Sequence, residues 1–355
     1  MVFKCCCPIN PMKKIAYPLL LLLILPFGAC KDRQESTGQL IPRGENYLAL
    51  NIDLDNLDSD GAIFAVDSLI LIPLTDLPQA RFGEGSKVLE AGQNYYVLDA
   101  EATQAVYVFD QRGGLRNRIC HLGDGPGQYK ELRDMAVDKT DGSFWVDAWP
   151  MKVIRYNAEG LFLEEIPRLI FSDGFARLTN GWAFSSHLNM HPKAALPFNL
   201  FVTNDRLELT GHYCPFNPKG LGISFGIKKY FSQSPDGLFY NYPYSDTIYQ
   251  ISPTGAPTIA FTLDFGDNWM SPELRNSPLD AAKMAEVKAT GNVFYIDNLC
   301  ITNHHLLLVT SYQSEPVVLV YRKGDTRPAA VMDMDASVTN MVLALALSTS
   351  RFENG

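Results

Sequence analysis

His187 and His191 are the first residues in this chain whose types and spacing could do chemistry. An H-x3-H pair puts both rings on one side of a helix, where they could share a metal or a proton. The segment lacks the glutamate of an H-E-x-x-H motif and runs straight into Pro192, so it reads as a long loop. The other groups suited to binding or proton transfer are Glu101, Trp149, Lys152, Tyr244, Tyr312 and Gln313, with His121, Asp124 and Tyr129 on one further segment. Aromatics, imidazoles and a few charges suit stacking on sugars or clasping a peptide. No G-x-S-x-G elbow, no G-K-[ST] phosphate loop and no Cys-x-x-Cys spacing occurs. Carboxylates are abundant, yet no spacing pairs two of them at a site. No catalytic residue, metal ligand or cofactor is therefore assigned.

Short strands must position these residues. Gly123 to Asp138 reads GDGPGQYKELRDMAVD: glycines at alternate positions around a proline, an aromatic, then an apolar run. Glycine takes positive φ cheaply, so the chain can turn sharply before a strand. Tyr95 to Asp99, Ala105 to Asp110 and Leu115 to Ile119 follow one another around a Gly113-Gly114 turn. Phe144 to Asp147, Val153 to Tyr156 and Leu161 to Ile166 repeat that pattern around Gly160. The offset is about 46 to 48 residues, the period of a four-stranded propeller blade. A third unit spans Phe175 to Tyr213, a fourth Tyr230 to Phe265 and a fifth Val293 to Met334, with turns at Asn180-Gly181 and Pro235-Asp236-Gly237. Between the fourth and fifth, Ser277, Pro278 and Asp280 cap one short helix that Gly291 ends.

The G-D-G-P-G-Q-Y stretch resembles the signature of NHL-type β-propellers. More narrowly, with Asp246-Thr247-Ile248-Tyr249, it resembles the six-bladed β-propeller lipoproteins of Bacteroidales. The resemblance covers about residues 60 to 334 and implies an all-β, six-bladed propeller of four-stranded antiparallel blades. The sixth blade must combine Leu69 to Leu74 with Met341 to Leu347. Ser348 to Gly355 does not resemble the family's usual ending, which leaves that blade open to being incomplete. In such a fold the turns between second and third strands share one end with the inter-blade connections. That end collects Glu101, Trp149, His187, His191, Tyr244 and Tyr312 as ligand-binding candidates.

Lys13-Lys14, the apolar run from Ile15 to Pro26 and Phe27-Gly28-Ala29 before Cys30 form an export segment that resembles a bacterial lipobox. Its core is shorter than the ~20 residues a spanning helix needs. The expected organisation is a signal peptide over 1–29, with Met12 a candidate start, a lipidated Cys30, a polar tether over 30–60 and the propeller over 61–355. The net charge of −9 opposes a phosphate backbone, so no nucleic-acid partner is expected. Cys120, Cys214 and Cys300 lie beyond the export segment, an odd number with wide gaps that indicates no disulfide framework. The expectation is a binding or scaffold module, lipid-anchored at the bacterial outer membrane and facing the periplasm or the surface. Its partners would be the membrane, through the lipid, and a glycan, a peptide or an envelope protein. The alternative is a carbohydrate-active or lyase-type enzyme using His187, His191 or Glu101 as acid and base at the channel mouth.

Overall fold

Side-chain caps at turns set the repeat of this fold. The Asp110 carboxylate accepts the Gly114 N–H at 2.9 Å, Asn157 Oδ1 that of Leu161 at 2.8 Å, Asn204 Oδ1 that of Glu208 at 3.0 Å and Ser252 Oγ that of Ala256 at 3.0 Å. Each cap closes the turn between a third and a fourth strand. The residue three beyond it has positive φ: Gly113, Gly160, Leu207 and Gly255. Leu207 holds at 60° a conformation that glycine takes at lower cost.

The computed structural model describes residues 40–56, 72–75, 78, 82–83, 87–190, 196–218, 230–276, 281–325 and 329–331, all within the unit Gly38–Gly355. The first sheet contains β2 (Lys87–Ala91), β3 (Asn94–Asp99), β4 (Ala105–Asp110) and β5 (Leu115–Ile119). The second contains β6 (Glu131–Val137), β7 (Phe144–Trp149), β8 (Lys152–Tyr156) and β9 (Phe162–Pro167). The third contains β10 (Gly174–Leu178), β11 (Gly181–Ser185), β12 (Phe198–Thr203) and β13 (Leu209–Pro215). The fourth contains β14 (Phe231–Ser234), β15 (Gly237–Tyr240), β16 (Thr247–Ile251) and β17 (Pro257–Asp264). The fifth contains β18 (Asp297–Ile301), β19 (His305–Tyr312), β20 (Glu315–Arg322) and β21 (Ala329–Val331). All are antiparallel meanders in chain order, and β2, β6, β10, β14 and β18 lie side by side in succession. That is a β-propeller.

The core lies between the sheets, which is why inner strands such as β4 and β12 are buried on both faces. Tyr96, Val108 and Ile119 of the first sheet pack on Met135, Phe144 and Tyr156 of the second. Trp145 and Val153 meet Phe175, Trp182 and Phe184. Leu200 and Val202 meet Tyr240 and Ile251, and Phe239 and Phe261 meet Leu306 and Leu319.

The structure corrects the expected blade count: the described residues form five blades, not six. A strand that was not expected, β1 (Arg43–Asn51), lies within the expected tether, pairs in parallel with β17 and makes the fourth sheet five-stranded. Leu50, Ile52 and Leu54 bury themselves between the fourth and fifth sheets, which is the reason this segment folds back. Of the segments from which a sixth blade was to be built, 69–71 and 341–347 lie outside the described residues, as do the export segment and Cys30, and 72–74 form no strand. The expected helix is present as α2 (Ala281–Thr290), ended by Gly291, and a shorter helix that was not expected, α1 (Pro272–Asn276), precedes it. Its expected cap, 277–280, lies outside the described residues.

Candidate functional site

In a meander of four strands, the second-to-third turns and the connections to the next sheet lie at one end. The described candidates therefore share an end, but they are not equivalent. The Gly-rich connection from β5 to β6 is scaffolding. Gly123 N–H bonds the Tyr129 carbonyl at 2.9 Å, Gly125 N–H bonds Gln128 Oε1 at 2.8 Å, and the Tyr156 hydroxyl donates to the Gly127 carbonyl at 2.7 Å. A Cβ on Gly127, whose φ is 65°, would fall against the Phe162 ring, so glycine is required there. Tyr129 is buried and donates to the Gln104 carbonyl at 2.9 Å, and burial pushes its phenol up. His121 stacks on Tyr156 with ring centres 5.2 Å apart. Asp124, paired with Lys130 at 2.9 Å, is the one candidate of this loop that is open to solvent.

A second cluster, which the sequence reading did not assemble, ties three sheets together. Asp134 on β6 receives Lys87 Nζ of β2 at 2.6 Å through Oδ1 and the Phe175 N–H of β10 at 2.9 Å through Oδ2. Nearby, Arg168 Nε donates to Asp147 Oδ1 at 2.8 Å, with both side chains buried. Burial outweighs Arg168 and pushes the Asp147 carboxyl up to about 6. Asp173 is also pushed up by burial, against the opposing pull of Arg133 and Arg168. His187, with φ of 50°, lies 3.7 Å from Asp173 through Nδ1, and the same nitrogen meets the Tyr230 hydroxyl. For Asp147 the sequence signal was available: it stands inside an otherwise apolar strand, and buried carboxylates need partners.

Above this base sits an exposed ledge. Trp149, at the end of β7, is 41% exposed. Arg133 lies 5.8 Å from its ring and 4.8 Å from that of Phe171, with Glu131 at 3.5 Å from Nε and Asp173 at 3.5 Å from Nη1. Leu169 stands exposed on the connection that also carries Phe171. Hence a flat aromatic, a guanidinium and two carboxylates converge where the second sheet passes to the third. Lys152 lies in the same turn region but is taken by Glu165 at 2.7 Å.

The remaining candidates are dispersed. Glu101 is exposed on the β3–β4 turn, where its N–H caps Asp99 at 3.1 Å. Tyr244 is buried with Met270, Leu274 and Met284 under the helices, and burial pushes its phenol up. Tyr312 donates to Asp55 at 2.6 Å, joining the N-terminal segment to the fifth sheet, and the neighbouring Gln313 N–H bonds the Gly291 carbonyl at 2.7 Å. His191 lies outside the described residues. The structure thus brings Trp149 and His187 to one cluster and leaves Glu101, Tyr244 and Tyr312 apart from it. At the other end, a groove of about 550 Å³ runs between the third and fourth sheets, lined by Arg177, Gln233, Asp236 and Gln250. Its two charges are already used: Arg177 pairs with Asp205 at 2.6 Å and Asp236 with Lys323. Among the described residues no group of three or more His, Cys, Asp and Glu could hold a metal ion, and no helix is long and apolar enough to cross a membrane.

Radial four-stranded antiparallel sheets define this as a β-propeller. The chain belongs to the family described as "Domain of unknown function (DUF4934)", whose model matches residues 52–337. Its fold is similar to that of a protein described as exported from Bacteroides fragilis NCTC 9343, at 18% identity and a TM-score of 0.65, covering 80% of this chain and 79% of that one. A member of the duf4221 family from Bacteroides vulgatus is more distant, at 9% identity and a TM-score of 0.43, covering 67% of this chain and 77% of that one. No curated protein matches the sequence.

Proposed function

We propose that this chain is a cell-envelope propeller that binds a glycan on the ledge formed by Trp149, Arg133 and Phe171. The observation that carries the reading is the exposed Trp149 ring held beside an anchored guanidinium and carboxylates. A pyranose face stacks on an indole, and its hydroxyls are satisfied by Arg133, Glu131 and Asp173. The buried pairs beneath hold the ledge rigid, so little ordering is needed on binding. The lipobox-like segment and the likeness to an exported protein support export, and the reading includes lipid anchoring through Cys30 at the outer membrane.

A glycan array probed with the purified propeller tests the ligand class. Trp149→Ala is expected to lower binding at least about tenfold with the melting temperature unchanged. Binding to peptides or envelope proteins only, with no glycan retained, would reject the glycan in favour of those ligands. Labelling cells with an alkyne fatty acid tests the anchor: label should be lost on Cys30→Ser. The enzyme alternative gains no support from the geometry, because His187 is buried on Tyr230 and Glu101 stands apart.

A further inference from the structure

Exposed apolar side chains are concentrated on one blade. Of the ten large apolar residues exposed among the described residues, Leu122, Trp149, Leu161, Phe162, Leu163 and Leu169 belong to the second sheet or its flanking connections. Three of these are consecutive, at 66%, 41% and 50% exposure for Leu161, Phe162 and Leu163, and they lead into β9, the outer edge strand of that sheet. An edge strand offers unpaired N–H and C=O groups, and proteins normally blunt it with charge or cover it. The outer strand β5 does so with Arg116 and Arg118, and β17 is covered by β1. β9 carries acid instead, Glu164 and Glu165, and no described strand covers it; both backbone groups of Leu161 are bonded to Asn157, so with Pro167 the usable frame is residues 162–166.

We propose that β9 is a docking edge for an extended segment of a partner protein in which apolar and basic residues alternate. The charge pattern selects the occupant. Glu159, Glu164 and Glu165 flank the apolar run, and only Lys152 at 2.7 Å and Arg155 at 3.7 Å offset them. A second copy of this chain, bringing the same glutamates, would meet like charge. The molecule already shows that an outer edge of this fold accepts a fifth strand, since β1 adds in parallel to β17 with Leu48 to Asn51 in register with Phe261 to Asp264. Main-chain bonds would supply affinity, and Leu161, Phe162 and Leu163 would take the apolar side chains. This surface is separate from the Trp149 ledge.

The test uses a fluorescein-labelled decapeptide of alternating Val and Lys with the purified full chain. Saturable anisotropy and slowed hydrogen exchange confined to residues 162–166 are expected. The same peptide N-methylated at alternate amides should bind at least about tenfold more weakly, as should the intact peptide to the Leu161→Lys, Leu163→Lys double variant. Trp149→Ala should leave this binding unchanged, which separates its outcome from that of the glycan test. Three results would overturn the proposal: no saturable binding up to about 1 mM, the weak end of specific affinities; equal binding of the N-methylated peptide; or a dimer in sedimentation, abolished by Leu163→Lys, without peptide binding. The last would assign the edge to self-association.

Discussion

The second and fourth blades solve the same problem in opposite ways. The fourth is closed at its outer edge, where β1 covers β17 and buries Leu50 and Ile52 against the fifth sheet. Its interior carries the stacked phenols Tyr240, Tyr242 and Tyr249, all pushed up by burial. The second blade leaves β9 uncovered and carries charge instead: Asp134 and Asp147 sit within its strands, and Arg168 returns from the next connection to meet Asp147. One four-stranded template is therefore edge-covered and apolar at one position, and edge-open with buried charge at another. The difference lies in which edges are covered and which buried positions hold charge.

The largest way to break this contrast is at the buried pair. Arg168→Ala leaves Asp147 buried without its cation and should cost about 3–5 kcal/mol in urea unfolding. On the fourth blade, Leu50→Ala removes a core contact of β1 and should cost about 2–4 kcal/mol. The equivalent truncation on the open edge, Leu163→Ala, should stay within about 0.5 kcal/mol. Equal costs at Leu50 and Leu163 would erase the distinction between a sealed and an open edge.

A pH series sharpens the comparison further. Asp147 is held above its ordinary value, so its contribution to stability is full below about pH 4 and is lost as pH rises through about 6. Asp173 acts in the same direction. The melting temperature should therefore carry a downward component between pH 4 and 7 that Asp147→Asn removes, whatever that variant's overall stability. A smaller loss than at Leu50 is expected for Tyr312→Phe, which deletes the hydroxyl contact to Asp55 and should cost about 1 kcal/mol.

Local chemistry made much of this fold legible. The Asp110 and Asn157 caps, the glycines three residues beyond them and the alternating apolar runs lie within a few residues of one another, so sequence spacing reports them directly. The first three units were placed nearly as observed for this reason. The docking of β1 was not legible, because Arg43–Asn51 is too polar at its start to announce a strand. The site was half legible. Trp149 and His187 stood out by type, whereas Arg133, Asp134, Arg168 and Asp173 read as ordinary strand or turn charges until the sheets met.

Turn chemistry and the blade period determined that this chain is an all-β propeller, because both act between near neighbours along the backbone. Only the tertiary structure decided that the described residues form five blades, that β1 seals the fourth, and that Lys87, Asp134 and Phe175 meet across three sheets. Those contacts join residues about 40 or more positions apart. Their energy comes from desolvation and edge coverage, which exist only after the sheets pack.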